Sequence, residues 1–596
     1  MNYNRPGGIS RSFGRASLIC VLGACIAMAI SGAASAETPP PIGAVAVPPS
    51  VAPPAELSAS PVAQPLRVAD PAAFKAAKQR AERRYQAFES RRAAATGTSS
   101  GHPQTAIFGG LDVPGIDATG QGVTPPDTTG AVGPNDYLEM VNSEIGRYSK
   151  SSLGSIESLP ENSFVGSAAG ICDGQIQWDQ EGQRWIYTAL DCNAPPGSQQ
   201  LYFGWSRTTS PALTSTNWCR WVAGTGHSLE DYPKLGHDNT QILIGTNAFQ
   251  DETEAYLGSL ILTMPKPAPG VSTCPASLTV HGHVAGTDFT PVPANIADSS
   301  AHGYVTALHD PTHLTLYEVG ENGSGEATFT TKTVAVPEYE IPAEVPQPGT
   351  SEVLDSSDTR LTQSVATTDP ATGQEGIWTE HTVAGPGGGP SVVRWYELSP
   401  GASVPRQTGT VAGPGGTFAF NAAISPTADG SNAGVVYNTG GASAYASLRA
   451  KNRHASTPLG AMEEEVELGT SVGADEDFSC DYNPVYNPDE VCRWGDYAGA
   501  SPDPANSHLI WATGELTTLP WEFEEPQWGT RNVALDISPP PPPPLPPAPA
   551  PAPAPTPPPG PIVHRRIHCH KGFKKRRVHG KIKCVKVHHH HRHHHH

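Results

Sequence analysis

The chain has 596 residues, with 38 Lys and Arg against 57 Asp and Glu, and a net charge of −19. The charge is unevenly distributed, because residues 111–560 carry a net charge of −36 whereas residues 561–596 hold 11 Lys and Arg and no acid. So acidic a body repels phosphate backbones, which argues against nucleic acid as a partner.

The first 36 residues are typical of a secretory signal peptide. Arginines precede an apolar run over residues 16–30, and Ala34-Ser35-Ala36 is a small-residue cleavage site. The apolar run is too short for a transmembrane segment, and no other stretch of the sequence is apolar and long enough to be one. Cys25 lies in a weak lipoprotein-type sequence, but apolar rather than polar residues follow it. The sequence therefore predicts a protein that is secreted, extracellular or associated with the cell surface.

Eight cysteines follow the predicted signal peptide. An even number of cysteines in an exported chain predicts disulfides. Pairing of nearest neighbours predicts the bridges Cys172–Cys192, Cys219–Cys274, Cys480–Cys492 and Cys569–Cys584. A metal site is the alternative, and the absence of a CxxC pair argues against zinc.

Two segments precede the main domain. Residues 37–68 are rich in Pro and Ala and are predicted to form a flexible leader. Residues 69–104 are predicted to be helical, because Asp70 suits an N-cap and Pro71 suits the first helical position. We expect a solvated helix, with docking of its aromatic side chains on the main domain as the alternative.

The main domain spans residues 105–538. Short β-branched and aromatic runs alternate there with turns rich in Gly, Pro, Asn and Asp, which is the pattern of an all-β domain. Seven similar units begin at Asp127, Asp173, Asp231, His302, Asp358, Phe420 and Asp496. Each unit suits a four-stranded blade, so we predict an all-β fold: a β-propeller of seven blades, with an N-terminal helix and disordered tails. Six or eight blades are the alternatives, because the fourth and sixth units match the others poorly.

Two further segments follow the propeller. Residues 539–562 are predicted to form an extended polyproline linker, and residues 563–596 form a basic, His-rich tail. The cationic tail should adhere to anionic cell-wall or matrix polymers in a salt-dependent way. Its terminal histidines are interpreted as native, with an appended tag as the alternative. Such imidazoles would bind Zn²⁺, Ni²⁺ or Cu²⁺ adventitiously. The candidate ligands are His588, His589, His590, His591, His593, His594, His595 and His596.

Three stretches carry a resemblance to a known group of proteins. They are PPDTTGAVGPNDYLEMVN at residues 125–142, DYPKLG at 231–236 and RWGDYAG at 493–499, supported by residues 172–185 and 358–361. Over residues 120–535 the chain resembles exported bacterial proteins with a predicted, sialidase-like β-propeller, a family of unestablished function. The resemblance implies a propeller fold and export, and it implies no activity. The tail segment 569–584 is similar to short, basic, Cys-paired tails of exported actinobacterial proteins.

An acid opens five of the seven units, and these acids are the leading candidate site: Asp127, Asp173, Asp231, Asp358 and Asp496. Equivalent positions in blades would place them at the mouth of the central channel. A ring of carboxylates repels itself unless a cation or Arg neutralises it, and oxygen ligands favour Ca²⁺ or Mg²⁺. The alternative is that each Asp caps its own turn by accepting hydrogen bonds from backbone N–H groups.

Arg184, Arg360 and Arg493 accompany these acids in the sequence. They either clamp the carboxylate of an acidic sugar or neutralise the neighbouring Asp residues, and we favour the second interpretation. The Asp-box turn of sialidases, SxDxGxxW, is absent, as are GxSxG and HExxH.

These features predict a binding or structural module for an extracellular glycan or protein ligand, with the tail adhering to anionic polymers. The alternative is an extracellular carbohydrate-active enzyme, a hydrolase or lyase, at the central mouth of the propeller. A pair of carboxylates would then act as acid and base. The first residues to test are Asp173, Asp231, Asp358 and Asp496.

Overall fold

A computed structural model describes the chain over the following residues: 42–47, 62–93, 110–192, 197–226, 228–250, 253–298, 302–463, 465–481, 491–519, 526–538, 560 and 562–588. The predicted signal peptide, most of the predicted polyproline linker and residues 589–596 lie outside the described residues. The chain divides into two units, Met1–Pro539 and Pro540–His596.

The described strands of the first unit form seven four-stranded antiparallel blades, each running outward from a central channel. Blade 1 follows four N-terminal strands and one helix: β1 (Ile42–Ala46), β2 (Val62–Ala63), α1 (Pro71–Ala93), β3 (Leu111–Asp117) and β4 (Val123–Thr124). Blade 1 comprises β5 (Thr129–Val132), β6 (Asp136–Val141), β7 (Glu144–Ser149) and β8 (Ser155–Pro160), and α2 (Glu161–Val165) follows it. Blade 2 comprises β9 (Ile171–Asp179), β10 (Arg184–Asp191), β11 (Gln199–Ser206) and β12 (Trp218–Gly226). Blade 3 comprises β13 (Ser228–His237), β14 (Gln241–Gln250), β15 (Tyr256–Pro265) and β16 (Ser277–Val284).

The remaining blades complete the ring. Blade 4 comprises β17 (Phe289–Pro293), β19 (Gly303–Asp310), β20 (His313–Glu321) and β21 (Ala327–Ala335), with the short β18 (Asn295–Ile296) after its first strand. The pair β22 (Val345–Pro346) and β23 (Val353–Leu354) precedes blade 5, which comprises β24 (Leu361–Asp369), β25 (Gln374–Val383), β26 (Val392–Leu398) and β27 (Gln407–Ala412). Blade 6 comprises β28 (Phe418–Pro426), β29 (Ala433–Gly441), β30 (Ala444–Arg453) and β31 (Glu465–Thr470). Blade 7 comprises β32 (Gly499–Pro502), β33 (Leu509–Thr518) and β34 (Gln527–Asp536), and takes β3 as its outermost strand.

The ring closes through strand β3, which comes from the N-terminal side of blade 1. Leu111 of β3 pairs with Ala534 of β34, so one blade combines the two ends of the propeller sequence. The predicted seven-bladed propeller is thus confirmed. The fourth predicted unit, however, begins at β19 rather than at the inner strand β17. Pro291 and Pro293 lie in β17, and proline is rare inside strands, so this strand resembles a linker in sequence.

Buried side chains fill the interfaces between neighbouring blades. The blade 1–2 interface contains Trp178 and Trp185, and the blade 2–3 interface contains Trp205 and Trp221. Central strands such as β10 are buried throughout, whereas most residues of the outer strand β21 are half-buried or exposed. This gradient follows from the architecture, because neighbouring blades cover both faces of the central strands.

Parts of the predicted flexible leader are ordered. Strand β1 pairs with β12 of blade 2 and with β16 of blade 3, which joins two blades into one nine-stranded sheet. Strand β2 pairs with β4. The edge strands of these blades offer unpaired backbone groups, and the leader satisfies them.

Helix α1 docks on the propeller, in contrast to the expected solvated helix. The face that docks holds the buried Ala81 and four half-buried residues at the three- and four-residue spacing of one helix face: Phe74, Lys78, Tyr85 and Phe88. The Tyr85 ring meets the Phe418 ring edge-on at 4.9 Å, and Lys78 Nζ lies 2.9 Å from Glu344 Oε1. A Lys and an Ala on this face weaken its apolar signal in the sequence.

The four predicted disulfides are all present: Cys172–Cys192, Cys219–Cys274, Cys480–Cys492 and Cys569–Cys584. Among the described residues, no helix is both long and apolar enough to cross a membrane.

The second unit contains a β-hairpin, although the sequence predicted a disordered tail. Its strands are β35 (Phe573–Val578) and β36 (Lys581–Lys586). His579 and Gly580 connect them with φ values of 47° and 78°, which is the backbone of a type I′ hairpin turn. The disulfide Cys569–Cys584 closes the same segment and limits its unfolded conformations.

Candidate functional site

The inner strands of the blades begin at one end of the channel with an unusual backbone conformation. The first residue of this turn is left-handed in five blades: Asp127, Asp173, Tyr232, Thr290 and Asn421 have φ values of 46°, 56°, 56°, 52° and 42°. Pairing also shifts register at this level in blades 2, 3, 4 and 6. The irregular backbone therefore recurs at the same level in several blades, as a repeated bulge does.

All five candidate acids belong to one buried network, which we call the mouth cluster. It consists of Asp127, Asp173, Asp231, Asp358 and Asp496 with Arg67, Arg360, Arg493 and Lys234. The Asp496 backbone N–H donates to Asp127 Oδ1 at 2.7 Å, and the Tyr497 hydroxyl donates to Asp173 Oδ2 at 3.0 Å. The acids are not all equivalent, because Asp231 precedes the left-handed Tyr232 by one residue whereas Asp127 and Asp173 are themselves left-handed.

Arginines neutralise three of these acids. Arg493 pairs with Asp355 and lies 2.7 Å from Asp496 Oδ2. Arg360 Nε lies 2.9 Å from Asp358 Oδ1, and Arg67 Nη1 lies 3.2 Å from Asp231 Oδ1. This is the arrangement of the favoured interpretation, in which arginine balances acid.

Arg184 lies elsewhere. Its guanidinium donates to the backbone carbonyls of Ala268 and Val271, so it takes no part in the mouth cluster. Arg67 takes part instead, and no sequence pattern marks it, because it lies in the Pro-rich leader.

The leader also covers the mouth cluster. Arg493 donates to the Gln64 carbonyl at 2.9 Å, and Arg360 donates to the Arg67 carbonyl at 2.7 Å. Both guanidinium groups are therefore shared between an acid of the propeller and the backbone of the leader. Charge-assisted hydrogen bonds of this kind are stronger than neutral ones, so they fix the leader in place.

Several acids also accept backbone hydrogen bonds, but only that of Asp358 lies within its own turn, as the turn-capping alternative predicts, whereas the donors to Asp127 and Asp173 lie far away in the sequence. Asp127 accepts from Asp496 N–H, Asp173 from Tyr232 N–H at 3.2 Å, and Asp358 from Arg360 N–H at 3.0 Å. Each of these contacts occupies one acceptor position of a carboxylate.

Burial and charge separate the pKa values of the cluster. Burial, reinforced by the charges of Asp231 and Asp496, raises the pKa of Asp173 to about 7. Burial and the charges of Asp496 and Asp173 raise the pKa of Asp127 well above its ordinary value. Burial works to raise the pKa of Asp358 as well, but the charge and hydrogen bonds of Arg360 outweigh it and hold that pKa below its ordinary value.

Lys234 is buried beneath these acids. Its Nζ lies 3.8 Å from the ring centre of Tyr232 and 3.3 Å from that of Tyr497, and it has no hydrogen-bond partner among the described residues. Burial lowers the pKa of Lys234 well below its ordinary value, although Asp173 and Asp127 oppose this shift. Its amino group therefore faces two aromatic rings rather than a carboxylate.

The central channel itself is almost filled. The cavity that Lys234 lines has a volume of about 30 Å³, which is room for water only. Gln175 accepts a hydrogen bond from Leu235 N–H at 2.7 Å, and Gln363 accepts one from Ala500 N–H at 2.9 Å. The first contact joins the inner strands of blades 2 and 3, and the second joins those of blades 5 and 7. A sugar-sized ligand needs several hundred Å³, which is far more than the volume of this cavity.

A larger groove lies beside the mouth cluster, with a volume of about 760 Å³. Residues 65–68 and helix α1 form one wall, and propeller loops form the other. Its carboxylates include Glu344, which pairs with Lys78, and Asp355, which pairs with Arg493.

An asparagine that the sequence pattern did not single out recurs within or directly after the second strand of three blades. Asn142 donates to Asp127 Oδ2 at 2.7 Å and accepts from Asp173 N–H at 2.8 Å. Asn247 accepts from Thr290 N–H at 2.9 Å, and Asn438 donates to the Glu515 carbonyl at 2.8 Å. In each case the amide joins its own blade to another one. Alignment of the units on these second strands shows the repeated Asn.

Possible metal ligands are few among the described residues. The two groups with close ligand atoms are Cys172, Asp173 and Cys192, and Asp475, Cys480 and Cys492. Their cysteines form disulfides and offer no thiolate, so neither group has the donor set of a metal site. Of the tail histidines predicted to bind metal, only His588 lies within the described residues.

The raised pKa of Asp173 predicts a pH dependence of stability. An ordinary Asp has a pKa of about 3.9, so between about pH 4 and pH 7 the folded state holds a proton that the unfolded state has lost. Stability from this group therefore falls as the pH rises through that window, and Asp173→Asn should remove this part of the slope. Urea unfolding at several pH values measures it, with the partly exposed Glu352→Gln as control. An unchanged slope in Asp173→Asn would show that Asp173 titrates normally.

No protein-family model and no curated protein sequence matches the chain. Among solved structures, the phage phi92 endosialidase is similar with a TM-score of 0.35 and 9% identity, covering 74% of this chain and 71% of that one. Drosophila Semaphorin 1a, extracellular domains 1-2, gives a TM-score of 0.33 and 10% identity, covering 74% and 89%. A Trypanosoma rangeli sialidase mutant displaying trans-sialidase activity gives 0.30 and 9%, covering 61% and 54%. These are propeller proteins like this chain, and similarity this distant carries no argument about activity.

Proposed function

We propose that the protein is an exported binding module in which the propeller is a closed, non-catalytic scaffold and the basic tail adheres to anionic polymers. The observation that carries this proposal is the difference in exposure between the charged groups of the propeller and those of the tail. The acids of the mouth cluster are buried and engaged, whereas the cations of the tail hairpin are exposed in a segment without acids.

The state of the mouth supports a scaffold rather than an active site. A general acid or base must reach the proton that it transfers, and a nucleophile must reach the substrate. Asp127, Asp173 and Asp358 each accept a backbone hydrogen bond, and the leader lies over the arginines beside them. Arg67, Arg360 and Arg493 supply positive charge beside these acids, which the predicted Ca²⁺ would otherwise supply.

The tail supports adhesion. Its hairpin strands carry seven cations, and all are exposed: Lys574, Lys575, Arg576, Arg577, Lys581, Lys583 and Lys586. The predicted signal peptide and the four disulfides favour export, where anionic cell-wall and matrix polymers are available. The terminal histidines would strengthen adhesion below about pH 6, when they gain charge, and would bind Zn²⁺, Ni²⁺ or Cu²⁺ adventitiously.

Retention of the intact protein on heparin-coated and polyphosphate-coated beads tests this proposal. We expect retention at about 50 mM NaCl and release at about 0.5 M, because salt screens exposed charges. A full-length variant with Gln at all seven hairpin cations should be retained far less at low salt. Equal retention of this variant would contradict adhesion through the tail.

A second candidate, the extracellular carbohydrate-active enzyme, is favoured by one observation. The groove of about 760 Å³ beside the mouth is large enough for a sugar and is lined by two carboxylates, those of Glu344 and Asp355. Release of reducing ends from a panel of polysaccharides, lost in Asp355→Asn, would support this candidate.

A further inference from the structure

The register of the tail hairpin sorts its cations onto two faces. Arg576 lies opposite Lys583, and Lys575 lies opposite Cys584. Side chains alternate along a strand, and directly opposed residues share a face. One face, which we call the cation face, therefore carries Lys574, Arg576, Lys581 and Lys583. The other, which we call the disulfide face, carries Lys575, Arg577 and Lys586 among Phe573, Ile582 and Cys584.

The positive charges of the cation face repel one another. Arg576 and Lys583 are directly opposed, and like charges in that position destabilise a sheet. Residues 561–596 contain no acid that could offset them. A two-stranded hairpin is also marginally stable in water, and this one has an exposed Phe573 and Ile582 in place of a core.

Two features hold the cations together in spite of this repulsion. The left-handed residues His579 and Gly580 favour the tight turn, and the Cys569–Cys584 disulfide clips the strand that carries Lys583. Covalent closure of the segment keeps the cations near one another before any ligand arrives. Pre-organisation of this kind lowers the cost of binding.

We propose that the cation face is a binding site for a linear polyanion whose charges are phosphate or sulfate groups. This inference rests on the proposed adhesion through the tail and assigns it to one face. Residues two apart on a strand lie about 6.6 Å apart, so the four cations form a short double row rather than a point. A single small anion contacts only one or two of these cations, whereas a linear chain of tetrahedral oxyanions contacts all four. An Arg at the centre of the row adds bidentate hydrogen bonds to an oxyanion.

Two full-length double variants with equal charge loss test the assignment. Arg576→Gln/Lys583→Gln alters the cation face, and Lys575→Gln/Arg577→Gln alters the disulfide face. Fluorescence anisotropy with labelled inorganic polyphosphate and with labelled heparin gives the Kd at several salt concentrations. We expect the first variant to weaken binding at least about tenfold and to lower the salt slope by about 1.4–1.8, as for two lost contacts. The second should weaken binding by about threefold or less.

Intact-mass analysis under non-reducing conditions confirms that each variant keeps its disulfides. Equal losses in the two variants would overturn the assignment to one face while leaving adhesion through the tail in place. Full binding by the variant that lacks all seven cations would overturn the proposed adhesion as well. Binding of polyglutamate as tight as that of polyphosphate would contradict selection for tetrahedral oxyanions.

The disulfide offers an independent test. Cys569→Ser/Cys584→Ser removes the clip without touching a charge, and we expect the Kd for polyphosphate to rise several-fold because the cations are no longer pre-organised. An unchanged Kd would show that charge number alone sets the affinity and would contradict the proposal.

Discussion

Replacement of Arg493 by Met should lower the free energy of unfolding of the propeller by about 3–5 kcal/mol. Arg493 is 4% exposed and pairs with Asp355 and Asp496, and it also donates to the Gln64 carbonyl of the leader. Met fills similar space but leaves two buried carboxylates without their cation. Removal of one partner of a buried ion pair is strongly destabilising, because the remaining charge stays buried and uncompensated. Urea unfolding followed by tryptophan fluorescence measures the loss.

The control for this variant is Arg207→Met. Arg207 is exposed and donates only to the backbone carbonyls of Ser272 and Thr216, so its loss should cost less than about 1 kcal/mol. Similar costs for the two substitutions would contradict the view that the mouth cluster stabilises the ring.

Asn142→Ala should have the second largest effect, at about 2–5 kcal/mol. The substitution leaves the Asp173 N–H group and one oxygen of Asp127 buried without their partner, and it disconnects blade 1 from blade 2. The exposed Asn135→Ala is the matched control and should be nearly neutral. A cost for Asn142→Ala close to that of the control would contradict an inter-blade role for this amide.

Much of the fold followed from local pattern, because each blade repeats strand and turn signals at similar spacing. The closure of the ring could not be predicted from local pattern, since the pairing of Leu111 with Ala534 joins strands that are far apart in the sequence. Strand β1 was missed for the same reason, because its partners β12 and β16 are supplied by the folded propeller rather than by its neighbours in the chain.

The acids of the candidate site could be predicted from the sequence, but the leader segment that covers them could not. Repetition of Asp at the unit starts brought Asp127, Asp173 and Asp496 to attention, and all belong to the mouth cluster. The contribution of Arg67 and of the Gln64 carbonyl depends on where the leader crosses the propeller, which local sequence does not encode. The contacts of Gln175 and Gln363 in the channel could not be predicted from the sequence either. Glutamine is a common residue in strands, and its hydrogen-bond partners here come from other blades.

The most direct test of the account is an array of neutral, sialylated, sulfated and phosphorylated polymers probed with the intact protein and with the variant that lacks the seven hairpin cations. If binding resides in the tail and the mouth of the propeller is closed, signal appears on the sulfated and phosphorylated polymers and disappears in the variant. Signal on neutral glycans that survives in the variant, and that Asp355→Asn abolishes, would contradict the account and place binding in the groove beside the mouth.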